Sequence, residues 1–312
     1  MRDAPRVDIL LAAHEGARFL PAQLDSILAQ DHRAWSLTVS DDGSRDDTAA
    51  LVEAFAHRAG AGRVRLVRGP GRGATANFLS LLAGWDGGAD FVALADQDDV
   101  WFPAKLGAAI RALGPCGGLA LYGARTVVTD ALLRPYALSP CPHRPLGFRN
   151  ALVQNVAGGN TMVLPAAAAG LAAAAARRLR TAGVEPAAHD WWLYQLVSGA
   201  GGAVLHDPVP RLLYRQHGAN LVGANAGWRA RMVRARGLVA GRFAAWNRQN
   251  RLALAALRDL LSAEARAALD GFCALADLSG WPALRALDRA GLYRQTHAGD
   301  LSLRLAAWLG RV

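Results

Sequence analysis

The sequence predicts an α/β fold: a mainly parallel sheet flanked by helices, followed by a C-terminal helical extension. Three observations predict it. Short apolar runs alternate with stretches of helical periodicity through the first hundred residues. Two carboxylate clusters, 41–42 and 96–99, directly follow apolar runs, and ligand sites in such sheets lie beyond the carboxyl ends of strands. From Trp228 to Val312 the pattern is almost wholly helical.

The first strand is the continuous apolar run Val7 to Ala12. A helix follows between Arg18 and Gln30, where Phe19, Leu20, Leu24, Ile27 and Leu28 recur at helical spacing. Trp35 to Ser40 reads as the second strand and Ala49 to Ala59 as the second helix, with Asp46 or Asp47 placed to cap it. Val64 to Val67 is the third strand, Asn77 to Ala83 the third helix, and Phe91 to Ala95 the fourth strand. The middle, Leu119 to His217, is mixed: strand-like pieces at Leu119 to Tyr122 and Thr161 to Leu164, an alanine-rich helix at Ala166 to Leu179, and another helix at Ala187 to Val197. Two units are expected, a catalytic domain over 1–227 and a basic amphipathic extension over 228–312.

A chain of 312 residues that is 52% apolar can bury a sizeable core, which excludes a disordered protein. The net charge of +10 comes almost wholly from arginine, Lys105 being the only lysine. It favours anionic partners such as phosphorylated substrates, nucleic acid or anionic lipid. Cys116, Cys141 and Cys273 have neither metal-ligand spacing nor a disulfide framework, so free thiols in a reducing, cytoplasmic compartment are expected. No signal peptide or spanning segment is expected.

Asp96-Gln97-Asp98-Asp99 closes the fourth apolar run. Carboxylates crowded at the end of a buried strand repel one another unless a cation joins them, and a hard ion such as Mg²⁺ or Mn²⁺ suits oxygen ligands. The alternative is a solvated turn capping the next helix. Asp41-Asp42-Gly43-Ser44 is a second acidic turn, able to accept from a nucleobase N–H or to serve as an ordinary turn. Asp190, in His189-Asp190-Trp191-Trp192, is a general-base candidate or a helix cap. His217 can ligate a metal or stand in the structure as an ordinary side chain. Gly158-Gly159 lets backbone approach a ligand closely, or makes a simple turn.

Taken in order, these segments resemble the family 2 glycosyltransferases of GT-A (Rossmann-like) fold, and most closely the bacterial rhamnosyltransferase type. The resemblance runs from about Val7 to Gly223. It rests on the ordered set from Leu10 to Leu20, Gln23 to Ile27, Ser40 to Ser44, Leu94 to Trp101, His189 to Trp192 and Tyr214 to Asn220. It implies an inverting hexosyltransferase that uses Mn²⁺ or Mg²⁺ and a nucleotide-diphosphate sugar, with dTDP-rhamnose favoured. The acceptor would be a saccharide or lipid-linked, in bacterial surface polysaccharide synthesis. By the same resemblance Asp190 is the catalytic base, and Asp98 and His217 hold the metal. Ala12, Glu15, Asp41, Asp96, Gly158 and Gly159 line the donor site, with Arg72 a contact to the diphosphate. The chain departs from the family where His14-Glu15 replaces a frequent Tyr-Asn pair, and in the loop from Arg68 to Thr75.

The interleaved arginines and apolar residues from Trp228 to Trp246 suggest peripheral attachment to an anionic membrane surface, the cytoplasmic face of the inner membrane. A helical subdomain packed on the core, or a dimer interface, would produce the same pattern. Two rival functions fit fragments of the sequence. A HAD-type phosphohydrolase would use Asp96 and Asp98, but its lysine belongs farther downstream than Lys105. A nucleic-acid-binding protein would use the charge, but no reader motif is present.

Overall fold

A computed structural model describes residues 4–218 and 242–312. Ala219 and Asn220 of the last motif, the expected boundary at 227/228 and the arginines 229, 231, 234 and 236 lie outside the described residues.

The chain starts with β1 (Val7–Ala13), α1 (Leu20–Leu28), β2 (Trp35–Asp41), α2 (Thr48–Ala59), β3 (Val64–Arg68), α3 (Ala74–Ala83) and β4 (Phe91–Asp96). Each strand and helix predicted in this stretch is present, with ends shifted by one to three residues. Val7, Ile9, Leu11 and Ala13 of β1 point into one core and Leu10 and Ala12 into another. Both faces of the strand are therefore covered, which is why it reads as a continuous apolar run rather than an alternating one. Strand β4 does the same, Val92 and Leu94 on one side and Ala93 and Ala95 on the other. Asp47 occupies the N-cap position of α2 without a side-chain cap bond, and Asp46, one residue earlier, accepts from the Thr48 amide through Oδ1 at 3.1 Å.

Next come β5 (Val100–Trp101), α4 (Lys105–Leu113), β6 (Ala120–Ala124), β7 (Val127–Thr129), β8 (Pro135–Leu138), α5 (Phe148–Ala151), β9 (Val163–Pro165), α6 (Ala166–Ala182), α7 (His189–Gly199), β10 (Ala203–Asp207) and β11 (Leu212–Arg215). The main sheet has the order β10-β6-β9-β4-β1-β2-β3. It is parallel except for β9, which runs antiparallel to both β4 and β6. The single strand expected over Thr161 to Leu164 is split, because Gly159–Thr161 forms a 3-10 turn before β9 begins.

A second sheet, β5-β11-β7-β8, was not anticipated. It decides the site, because β11 pairs antiparallel with β5, with Leu213 opposite Val100 and Leu212 opposite Trp101. That register carries the residues after β11 back toward those before β5.

Helix α6 ends on Gly183 in the left-handed region. Its alanines at 168, 169, 172, 175 and 176 are buried against the same core as α3, small side chains allowing the two helices to approach closely. Helix α7 is buried along nearly its whole length, from Trp191 to Gly199, so it is held from all sides. The C-terminal helices Arg242–Ala256, Ala263–Cys273, Gly280–Ala290 and His297–Trp308 share a third core with Phe148, Leu152 and Val153. Among the described residues no helix is long and apolar enough to cross a membrane.

Candidate active site

The carboxyl ends of β1, β2 and β4 lie side by side, with Ala13 paired to Asp41 and Ala12 paired to Asp96. Asp41 and Asp96 stand on this edge, and His217 is brought to it.

The first loop is locked in place by its neighbours. The His14 amide donates to Gln97 Oε1 at 2.8 Å, and Gln97 Nε2 donates back to the His14 carbonyl at 2.9 Å. A Cβ on Gly16 would collide with that same Gln97 oxygen. Glu15 adopts a left-handed backbone, φ 49°, held by its own amide donating to Ser44 Oγ and its Oε1 accepting from the Arg45 amide, both at 2.8 Å. Glu15 thus ties the first loop to the acidic turn after β2.

In that turn Asp41 Oδ1 accepts from the Ser44 amide at 3.0 Å and from Ser44 Oγ at 2.5 Å. Asp42 is buried and does different work. Its two oxygens accept from the Gly71 and Gly73 amides, each at 2.7 Å, which fixes the glycine loop against the end of β2. Both glycines have positive φ, 69° and 88°, where a side chain would be strained. Arg72, carried on this loop, reaches Glu185 at 2.9 Å and is largely exposed.

The acidic turn after β4 is the electrostatic centre. Asp96 is pushed up to about 8 by burial first, then by the charges of Asp98 and Asp190, with Lys105 opposing. Asp99 is fully buried and held well above the usual carboxylate range by burial and by Asp98 and Asp96. Asn160 Nδ2 donates to its Oδ2 at 2.5 Å. Beneath them sits Lys105, also fully buried, with Nζ 3.3 Å from the centroid of the Trp101 ring.

The β5–β11 pairing brings His217 to this turn. His217 Nε2 lies 2.7 Å from Asp98 Oδ2, and Arg215 Nε donates to the Asp98 carbonyl at 2.8 Å. Phe19 packs on the His217 ring at 4.6 Å. Asp190 stands in the first turn of α7, where the helix dipole favours a negative charge. Its Oδ1 accepts from the Trp191 amide at 2.7 Å and its Oδ2 from the Gly159 amide at 3.3 Å. His189 stacks on Phe78, ring centroids 3.9 Å apart. Its Nε2 is buried without a hydrogen-bond partner, and burial lowers its pKa.

The two predicted metal residues therefore meet, and the predicted base stands close enough to the acidic turn to perturb Asp96. Gly159 is in direct contact with Asp190; Gly158 packs on Asn160, which in turn holds Asp99. Arg72 is engaged by Glu185, and Glu15 faces the neighbouring turn. Gln97, Asn160 and Lys105 are given no role by the sequence, and Asp42 only that of an acidic-turn residue. Only Lys105 carried a signal, as a solitary lysine six residues beyond the acidic turn.

Among the described residues no group of three or more His, Cys, Asp or Glu side chains could hold a metal. The Asp98–His217 pair still fits Mg²⁺ or Mn²⁺. Such ions take one or two protein ligands and complete their shells with water and substrate phosphate, and the carboxylates crowded around Asp98 repel one another despite the opposing charge of Lys105, a repulsion that a cation relieves.

Gly159 offers a direct check on how tightly the base is held. A Cβ there would overlap His189 Nε2 and approach Asp190 Cβ to 3.3 Å. The stacked His189 ring has little room to yield. Gly159→Ala is expected to destabilise the fold by about 1–3 kcal/mol and to lower activity by more than that loss explains, as read from denaturant melts beside steady-state rates. Wild-type stability and rate would show that the contact is soft.

The comparisons with known proteins agree with this fold. A sequence model described as "Glycosyl transferase family 2" matches residues 8–177, just over half the chain. That span holds β1 to most of α6, and stops short of Asp190 and His217. The dTDP-rhamnosyl transferase RfbG of Shigella flexneri is 27% identical over 72% of this chain and 77% of its own length. The putative glycosyltransferase EpsE of Bacillus subtilis is 28% identical over 34% of this chain and 37% of its own. In fold, S. aureus TarS 1-349 in complex with UDP-GlcNAc superposes with a TM-score of 0.51 at 12% identity, covering 97% of this chain and 90% of that one. GalNAc-T7 with UDP, GalNAc and Mn²⁺ gives 0.52 at 11% identity, covering 70% and 45%. The phosphohydrolase and nucleic-acid readings find no support among these similarities.

Proposed function

Because the chain belongs to glycosyl transferase family 2, and so is a glycosyltransferase, we propose that it is an inverting, metal-assisted hexosyltransferase. It moves a sugar from a nucleotide diphosphate to a saccharide or lipid-linked acceptor in bacterial surface polysaccharide synthesis. The observation that carries this reading is the meeting of Asp98 with His217 at 2.7 Å beside Asp190 at the head of a buried helix. The likeness to the dTDP-rhamnosyl transferase supports dTDP-rhamnose as the donor. The catalytic unit is 1–227, and 228–312 serves to attach the enzyme peripherally to the cytoplasmic face of the membrane.

In this reading Asp41 receives the nucleobase N–H, Ala12 and Glu15 flank the nucleotide, and Asp96 meets the ribose. Gly158 and Gly159 let the donor sugar approach backbone beside Asp190. Arg72 exchanges Glu185 for the diphosphate. Asp98 and His217 would hold Mn²⁺ or Mg²⁺, which supplies charge stabilisation to the departing diphosphate. Asp190 takes the proton of the acceptor hydroxyl while its oxygen bonds to the anomeric carbon and the bond from that carbon to the diphosphate oxygen breaks. One displacement from the opposite face inverts the centre.

Calorimetry with dTDP-rhamnose and related nucleotide sugars tests the donor side. Asp98→Ala is expected to weaken binding in Mn²⁺ at least about tenfold, and to leave metal-free binding unchanged. Equal wild-type affinity with and without Mn²⁺ would remove the metal from the reading.

A further inference from the structure

The helices Gly280–Ala290 and His297–Trp308 bury Ala283, Leu287, Leu303 and Ala306 in the C-terminal core. Their outer faces carry large apolar side chains among the charged ones. Leu301 is 70% exposed, Leu305 50%, Trp308 40% and Leu309 48%. These four recur at helical spacing, so they form one stripe. Trp281, 67% exposed on the neighbouring helix, meets Trp308 edge to face with centroids 5.3 Å apart. The contact joins the two helices into one apolar ridge. Single exposed apolar residues need no explanation, but a continuous patch marks an interaction surface.

The charges beside the ridge say what fits it. Arg285 and Arg289 follow Trp281 at successive helical turns and are exposed. Among the described residues neither forms an ion pair. Two carboxylates on these helices are occupied: Asp288 by Arg304 at 2.5 Å and Asp300 by Arg144 at 2.7 Å. Tryptophan and leucine beside uncompensated arginine suit the headgroup region of an anionic bilayer, where the rings enter the interface and the guanidinium groups meet phosphate.

We infer that the ridge Trp281–Leu301–Leu305–Trp308–Leu309, with Arg285 and Arg289, is the face by which this chain lies on an anionic lipid surface. The inference rests on the peripheral attachment proposed above and locates it on helices distinct from the 228–246 stretch that the sequence singled out.

The test is sedimentation of the full chain with phosphatidylcholine vesicles, with and without phosphatidylglycerol. Binding is expected only with the anionic lipid and is expected to weaken with salt. Leu301→Ser combined with Leu305→Ser should reduce it about tenfold or more, and Arg285→Glu combined with Arg289→Glu should do likewise. These side chains are exposed, so the variants should melt as wild type and bind nucleotide sugar unchanged, which separates failure of this face from failure of the donor site. Three outcomes overturn the inference: no binding to anionic vesicles, binding that the variants leave intact, or a concentration-dependent dimer that the variants abolish.

Discussion

Asp190→Asn is expected to lower the rate of sugar transfer by about 10²–10⁴-fold, the range that general-base catalysis contributes, with nucleotide-sugar affinity nearly unchanged. Asparagine keeps the shape of the side chain and one acceptor oxygen, enough for the 2.7 Å bond from the Trp191 amide. The 3.3 Å bond from the Gly159 amide is the weaker of the two and the one to lose. Helix α7 is buried from Trp191 to Gly199 and does not depend on either. The variant should therefore fold, bind donor and fail at proton removal. Single-turnover rates beside calorimetric donor binding separate these steps. Turnover within a fewfold of wild type would exclude Asp190 as the base, and a parallel loss of donor affinity would make it a positioning residue.

How far the sequence reveals this site depends on what each residue needs from the rest of the chain. The strands β1, β2, β3 and β4 were legible because parallel strands covered on both faces must be apolar throughout, and Val7 to Ala13 leaves no other reading. The second sheet was not legible. Strand β5 has two residues and β8 is mostly exposed, too little for a period to emerge. Yet this sheet brings His217 to Asp98 across 119 residues of sequence. Nothing local to His217 signals that contact, and the sequence supplied it only through family resemblance. Gln97 and Asp42 were hidden for a similar reason. An amide answering both polar groups of His14, and a carboxylate answering two glycine amides from another loop, are matters of fit that spacing does not encode. The solitary lysine was visible, but its burial was not, since charged side chains belong to the surface by default.

Lys105 carries the second large effect. It is fully buried beneath the acidic turn and over the Trp101 ring, and its Nζ has no hydrogen-bond partner. Its favourable interactions are electrostatic: the ring face and the nearby Asp99 and Asp96. Lys105→Ala would leave both a cavity and an uncompensated acidic turn, and is expected to cost about 3–5 kcal/mol in denaturant unfolding. Lys105→Met fills the space and isolates the charge. Its signature is the pH dependence of stability. Folded Asp99 keeps its proton well above the usual carboxylate range. The folded chain then binds more protons than the unfolded one, and stability falls as pH rises through that window. Lys105 acts oppositely. Burial lowers it from 10.5 to about 7, so between those values the unfolded chain binds more protons and stability rises with pH. Asp96, pushed up to about 8, carries the falling trend past neutrality, so the two trends oppose one another in the wild type between about pH 7 and 8, and only the falling one survives in Lys105→Met. Denaturant midpoints across that range should therefore decline more steeply in the variant, whereas equal slopes would mean that Lys105 does not act as counter-ion to the turn that holds Asp98.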